Sequence, residues 1–387
     1  MLMLFQTLKT LCYGALVILG MAIALGVVPL HQRSHAYQDA PIVETPLMPQ
    51  IEELAAAYVA KRDNAGLAIG VLHQGHYDVK GFGQVHSASG EVPDGNTLFE
   101  IGSVTKVLTG LTLAQRVVDG TVRLDDPICR YLPEELRLSE PVQAITLRHL
   151  ATHTSGLPRL PDNLLSVADP ANPYAKYKAD DLYQALADVQ LSHNPGEQME
   201  YSNFGMGLLG HLLELKTGTP YERLVKATIA EPLAMPDTTI TLSDHQMHRL
   251  SAGHTPEGEL ATPWEFDVLA PAAAFRSTAA DLLTLLEANL SDGDGELAEA
   301  IELSQQPQFQ QDTAGIGLAW QIFDTPGGLV YWHNGGTGGY VSFVGFNKMN
   351  QTGVVVLSNY GDVFAGDQSV DQMGFTLLEL ASKFALD

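Results

Sequence analysis

Hydrophobic and polar positions divide the chain into stretches of different period. Within 49–61, Ile51, Leu54, Ala55 and Val59 recur on one side of a 3.6-residue turn, which predicts an amphipathic helix. The apolar run 67–72 and a second segment at 77–82 flank Gln74-Gly75-His76, and they read as two antiparallel strands joined by a turn. After Gly102 the apolar positions Val107, Leu108, Leu111 and Leu113 return to helical spacing, with Gly120 as a stop signal. A helix starting around Ser103 places that hydroxyl where backbone N–H groups are free and the helix dipole is positive.

From about Pro133 to Trp264, helical segments alternate with stretches rich in proline, asparagine and aspartate, such as 157–177. Segment 204–215 follows Tyr201-Ser202-Asn203 directly and reads as a buried helix. Residues 277–281 open an apolar helix over 282–290. Strands are then predicted at 315–323, 328–333, 340–346 and 353–358, ahead of a helix at 369–381. The pattern predicts an α+β fold. Strands from both ends of the chain (45–132 and 265–387) form an antiparallel sheet with helices packed on it, and 133–264 forms a mainly helical insertion.

Composition changes the picture at the N-terminus. Lys9 precedes a mostly apolar run at 11–30, and Ser34-His35-Ala36 has the small-x-small form of a cleavage site. Residues 1–36 therefore read as a signal peptide or a retained membrane anchor, and either outcome predicts a periplasmic or otherwise extracytoplasmic protein. Cys12 precedes the apolar run, which argues against a lipid-modified cysteine. A chain cut after Ala36 keeps only Cys129, so it forms no internal disulfide and rests on its core. With 45% apolar and 17% charged residues, that core is sizeable. The net charge of −24 opposes nucleic-acid phosphates and anionic membranes, and it favours solubility.

Three short motifs carry candidate chemistry. In Ser103-Val104-Thr105-Lys106 the serine and lysine lie on nearly the same helix face. A serine hydroxyl needs a neighbour that takes its proton, and a partly buried lysine with an available neutral amine can do so. Tyr201-Ser202-Asn203 sets a phenol and an amide side by side at a helix entrance. The phenol can pass a proton to a leaving group, while Asn203 can donate to a substrate carbonyl and position Lys106. The stretch His333-Asn334-Gly335-Gly336-Thr337-Gly338-Gly339 ends one strand and turns to the next. Its four glycines permit close backbone approach to a bound acyl group and an N–H for an oxyanion.

Each motif taken singly also occurs for purely structural reasons. His149 and His153 are four apart, like a pair of metal ligands on a helix, but no acidic residue completes the phrase, and a structural role is expected. The glycine-rich loop at 335–339 lacks the lysine and hydroxyl of a phosphate-binding loop.

In this order the three motifs resemble the serine beta-lactamase and penicillin-binding protein superfamily, in particular the branch of class C beta-lactamases, D-Ala-D-Ala carboxypeptidases and related esterases. Further phrases extend the resemblance: Leu124-Asp125-Asp126-Pro127, Tyr131-Leu132-Pro133, the run from Ile145 through His153-Thr154-Ser155-Gly156-Leu157-Pro158, Pro195-Gly196-Glu197, and Pro232-Leu233-Ala234-Met235 with Asp237-Thr238-Thr239. The resemblance implies a beta-lactamase/transpeptidase-like fold with Ser103 acylated, Lys106 as its hydrogen-bonded amine and Tyr201 as the principal proton carrier. It implies substrate contacts from Asn203, His333, Asn334 and Gly335, and an oxyanion hole from the N–H groups of Ser103 and Gly336. Water then hydrolyses the acyl-enzyme, with no metal and no organic cofactor. The implied substrate is a small molecule or a peptidoglycan-like peptide.

His333-Asn334 stands where the beta-lactamases of this branch usually carry Lys-Thr. That departure implies weak or narrow beta-lactam turnover, because histidine is charged only part of the time near neutral pH. A beta-lactam, a D-amino-acid peptide and an ester all remain open as acyl donors. A non-catalytic penicillin-binding, peptidoglycan-binding or sensor protein on a membrane anchor is the reading from another class.

Overall fold

The computed structural model describes residues 47–86, 90–311, 313–362, 369–381 and 383, so the expected export segment at 1–36 lies outside the described residues. Among the described residues no helix is long and apolar enough to cross a membrane. The described residues contain ten strands: β1 (Gly66–His73), β2 (His76–Gly83), β3 (Phe99–Glu100), β4 (Arg276–Ser277), β5 (Phe309–Gln311), β6 (Ala314–Ile316), β7 (Gln321–Thr325), β8 (Gly328–Gly336), β9 (Val341–Asn347) and β10 (Thr352–Ser358). Eight of them form one antiparallel sheet in the order β2-β1-β10-β9-β8-β7-β6-β5, and β3 pairs with β4 in a small second sheet. The main sheet thus unites both ends of the chain, as its apolar alternation predicts. Helices of ten residues or more are α1 (Met48–Val59), α2 (Thr105–Val118), α3 (Ala179–Asp188), α4 (Asn203–Thr217), α5 (Ala279–Leu290), α6 (Glu296–Gln305) and α7 (Val370–Ala381).

The sheet is covered on both faces, and strand parity decides which residue goes where. Ile69, Val71, Phe343, Val354 and Val356 join one apolar cluster with residues of α1 and α7. Ala68, Leu72, Val344, Val355 and Leu357 join the other, with Leu283 and Leu286 of α5 and the apolar face of α2. A side chain at Gly70 would strike Leu283, so this glycine lets α5 lie close on the sheet. Central strands buried on both faces explain why β1, β9 and β10 read as nearly continuous apolar runs.

The strand predicted at 315–323 is instead two strands, β6 and β7. Between them the Gly317 N–H donates to the Trp320 carbonyl (2.9 Å) and the Ala319 N–H to the Ala151 carbonyl (3.0 Å), with Ala319 at φ 73°. This turn packs against Gly110 of α2, and any side chain at that position would strike the Leu318 carbonyl. A tertiary contact therefore breaks a run that local alternation reads as continuous.

Candidate active site

Ser103 lies on the 3-10 turn Gly102–Val104, one step before α2 begins. Two glycines let that turn lie against the end of β8. Gly102 holds φ 47°, and a Cβ there would sit 2.6 Å from the Gly336 nitrogen. A Cβ on Gly335 would sit 2.9 Å from the Ser103 nitrogen. The Ser342 hydroxyl on β9 donates to the Ile101 carbonyl (2.8 Å) and fixes the turn from the same side.

The register of β8 and β9 aims the Gly336 N–H. Thr337 donates to the Tyr340 carbonyl (2.9 Å), so the neighbouring pair Gly336 and Val341 is a non-hydrogen-bonded one and the Gly336 N–H points away from β9. On that side β7 ends its pairing at Trp332, and the Ser103 turn takes its place. The N–H of Ser103, at the start of a helical segment, has no intrahelical acceptor. Two backbone donors therefore stand beside one serine hydroxyl.

Lys106 is fully buried and its Nζ contacts the Ser103 Oγ at 2.9 Å and the Ala272 carbonyl at 2.7 Å. Burial pushes its pKa well below the ordinary lysine value, and the positive charge of Arg159 pushes it further. The amine is thus biased toward the neutral form that can accept a proton. Tyr201 is half-buried, and the desolvation of its phenol raises the pKa to about 12 against the opposing influence of Ser103 and Arg159. The phenol stays protonated at neutral pH and serves as a donor. Its ring centroid lies 4.8 Å from the Lys106 Nζ and 4.5 Å from the His153 ring.

Segment 153–159 is the scaffold for Tyr201 and Asn203. The Glu200 N–H donates to the His153 carbonyl (2.7 Å) and the Ser202 N–H to the His153 Nδ1 (3.2 Å). Ser202 caps α4 through the Gly205 N–H (2.9 Å), and its hydroxyl donates to the Pro158 carbonyl (2.7 Å). The Arg159 carbonyl accepts from Asn203 (2.9 Å) and Phe204 (3.3 Å). His149 also works on backbone, with its Nδ1 accepting the Thr146 N–H at 3.2 Å in a capping box. Both histidines of the ligand-like spacing thus hold chain in place.

The structure brings Ser103, Lys106, Tyr201 and the Gly335-Gly336 backbone together, with Asn203 one turn-residue beyond the phenol. Asn203 makes no hydrogen bond to Lys106, whose second partner is the Ala272 carbonyl, and its Oδ1 is buried without a partner. His333 is buried on the same side of β8 as Gly335. Its Nδ1 donates to the Asn334 carbonyl (2.6 Å), which leaves the Nε2 as a buried lone pair. Burial, helped by Lys106, lowers its pKa to about 3. The partial charge expected of His333 near neutral pH is therefore corrected to a neutral ring.

Asn334 needs a second correction. The alternation of β8 turns it to the opposite face from His333, where its side chain donates to Asp371 of α7 (2.6 Å). It is a structural tie to α7, and its side chain does not join the group around Ser103. Sequence reasoning missed two members of the neighbourhood: the Ala272 carbonyl, which carries no residue-type signal, and Arg159, whose guanidinium carbon lies 5.0 Å from the Tyr201 ring centroid. The arginine directly follows Gly156-Leu157-Pro158.

The family model described as Beta-lactamase matches residues 51–370. A beta-lactamase of Pseudomonas fluorescens is 27% identical over 346 residues, covering 80% of this chain and 92% of its own. The D-alanyl-D-alanine-carboxypeptidase/endopeptidase AmpH of Escherichia coli K12 is 27% identical over 341 residues, covering 84% of this chain and 86% of its own. Among solved structures, a beta-lactamase/D-alanine carboxypeptidase from Pseudomonas syringae superposes with a TM-score of 0.77 at 21% identity, over 89% of this chain and all of that one. The antiparallel sheet flanked by helices is the architecture of those neighbours. The chain belongs to the beta-lactamase family.

Proposed function

We propose that the protein is a serine acyl hydrolase that forms an acyl-enzyme on Ser103 and releases it to water. The observation that carries this reading is the 2.9 Å contact between the Ser103 hydroxyl and the buried Lys106 amine. In the acylation step the serine proton passes to the Lys106 nitrogen as the oxygen attacks the acyl carbon. The carbonyl oxygen, now an oxyanion, receives the N–H groups of Ser103 and Gly336. Tyr201 delivers a proton to the leaving nitrogen or oxygen and is reprotonated from Lys106. Asn203 supports the substrate amide, and the reverse proton path activates water for deacylation.

The substrate class we favour is a D-amino-acid peptide or a related strained cyclic amide, with the peptide ahead. The relatives include both beta-lactamases and a D-alanyl-D-alanine carboxypeptidase/endopeptidase, and the neutral His333 supports a peptide over efficient beta-lactam turnover. The same neutral strand is compatible with ester hydrolysis as a second activity. The protein works outside the cytoplasm on this reading, exported by its apolar 11–30 run.

Wild type and Ser103→Ala should be incubated separately with a fluorescent penicillin, nitrocefin, a D-Ala-D-Ala peptide and a short-chain nitrophenyl ester. The proposal expects wild type to release D-alanine and to turn nitrocefin over slowly, with both activities absent from Ser103→Ala. Inertness of the folded wild type toward all four compounds would favour a binding or sensor role instead.

A further inference from the structure

The distribution of positive charge around Ser103 differs from the arrangement implied by a strand lysine. His333 is neutral and keeps only a lone pair toward its surroundings. Lys106 is sealed in the core and engaged with Ser103 and Ala272. Neither group offers a fixed cation to a substrate.

Arg159 does. Its side chain is exposed at the rim, while its carbonyl is bonded to the N–H groups of Asn203 and Phe204, so the residue is tied to the segment that positions Tyr201. The guanidinium carbon stands 5.0 Å from the Tyr201 ring centroid. Several arginines of this acidic chain are paired with carboxylates, among them Arg62 with Asp362, Arg148 with Asp125, Arg249 with Asp237 and Arg276 with Glu100. Among the described residues no carboxylate lies within 4.0 Å of the Arg159 side chain. An arginine that stands beside the Tyr201 ring without a carboxylate partner, in a chain with 45 acidic and 21 basic residues, is chemically available, and its fork matches a carboxylate in two hydrogen bonds.

We propose that Arg159 is the specificity-determining residue that receives a carboxylate of the substrate at the rim of the Ser103 site, in place of a cation on strand β8. This deepens the acyl-hydrolase reading and rests on it for the identity of the site. It selects acyl donors that carry an anionic group, such as the free C-terminus of a D-amino-acid peptide, over the same compounds with that charge removed.

The test is a binding comparison that needs no turnover. Acetyl-D-Ala-D-Ala as the free acid and as its C-terminal carboxamide are titrated calorimetrically against full-length Ser103→Ala and against Ser103→Ala carrying Arg159→Gln or Arg159→Lys. The acid should bind Ser103→Ala roughly five- to tenfold more tightly than the amide, as suits a charge-assisted pair that solvent partly screens. That preference should fall to about onefold with Arg159→Gln, survive in part with Arg159→Lys, and shrink as salt is raised. Equal binding of acid and amide, absence of acid binding at millimolar concentration, or a preference that survives Arg159→Gln would overturn the proposal. Failure of wild type to acylate would overturn the acyl-hydrolase reading and leave this comparison intact, so the two fail separately.

Discussion

The Lys106 amine stands 2.9 Å from the Ser103 hydroxyl at the bottom of a fully buried stem, with the Ala272 carbonyl as its only other hydrogen-bond partner among the described residues. Burial is what makes this amine a base. It also makes it a liability to folding, since a charge there is poorly solvated. Lys106→Met keeps the volume and removes the nitrogen. Acylation by nitrocefin or a D-Ala-D-Ala peptide should fall about 10²- to 10⁴-fold, while urea unfolding at pH 7 shows no loss of stability. Retention of near wild-type acylation would remove the lysine from the mechanism.

The pH profile of acylation follows from the same burial. The Lys106 pKa lies well below its ordinary value, so the share of neutral amine at a given pH is larger than for a free lysine and is lost as pH falls through that depressed value. Tyr201, pushed up to about 12, holds its proton across this range. The logarithm of kcat/KM should therefore fall on the acid side with a single Lys106-dependent limb and show no Tyr201 limb below about pH 10. Tyr201→Phe should lower kcat by about 10²-fold or more without moving the acid limb. A limb that shifts in Tyr201→Phe would assign it to the phenol.

Acid should destabilise the fold through His333. The ring is neutral in the native state with a pKa of about 3, while in the unfolded chain it titrates near 6.5. Its folded pKa is depressed, so the unfolded state binds the extra proton and stability drops as pH falls from about 6.5 toward 3. The loss is about 2 kcal/mol at pH 5 by linkage. Buried His153, also shifted well down by burial, adds in the same direction. His333→Gln should flatten the stability curve between pH 7 and 5 in urea titrations. An unchanged slope would mean that the native ring does protonate there.

Asn334 separates a structural role from a substrate role. Asn334→Ala strips the hydrogen bond from Asp371, whose carboxyl burial already pushes upward. A stability loss of about 1–3 kcal/mol at neutral pH is expected, smaller once Asp371 is protonated, with kcat/KM within about threefold of wild type. A large loss of kcat/KM at unchanged stability would return this side chain to the substrate site.

Much of this site was legible in the sequence because its parts are local. Serine and lysine three apart share a helix face whatever surrounds them, and a glycine pair after a histidine permits close strand approach in any sheet. The orientation of Asn334 was legible too, by counting alternation from Val330 and Tyr331, which fall in opposite clusters. It was obscured by reading the motif as a unit. Arg159 and the Ala272 carbonyl were not legible, since their place depends on how the 153–159 and 270–273 segments fold back on α4 and α2. The break between β6 and β7 likewise comes from Ala151 and Gly110, which lie far away in the chain.

Mass spectrometry of the intact protein, quenched after brief exposure to a slowly hydrolysed penicillin or an activated ester and followed by peptide mapping, tests the acyl-enzyme most directly. The account predicts one adduct of the acyl mass on the peptide carrying Ser103, absent from Ser103→Ala. An adduct that persists in Ser103→Ala, or a folded wild type that acquires none while still cleaving the substrate, would contradict it.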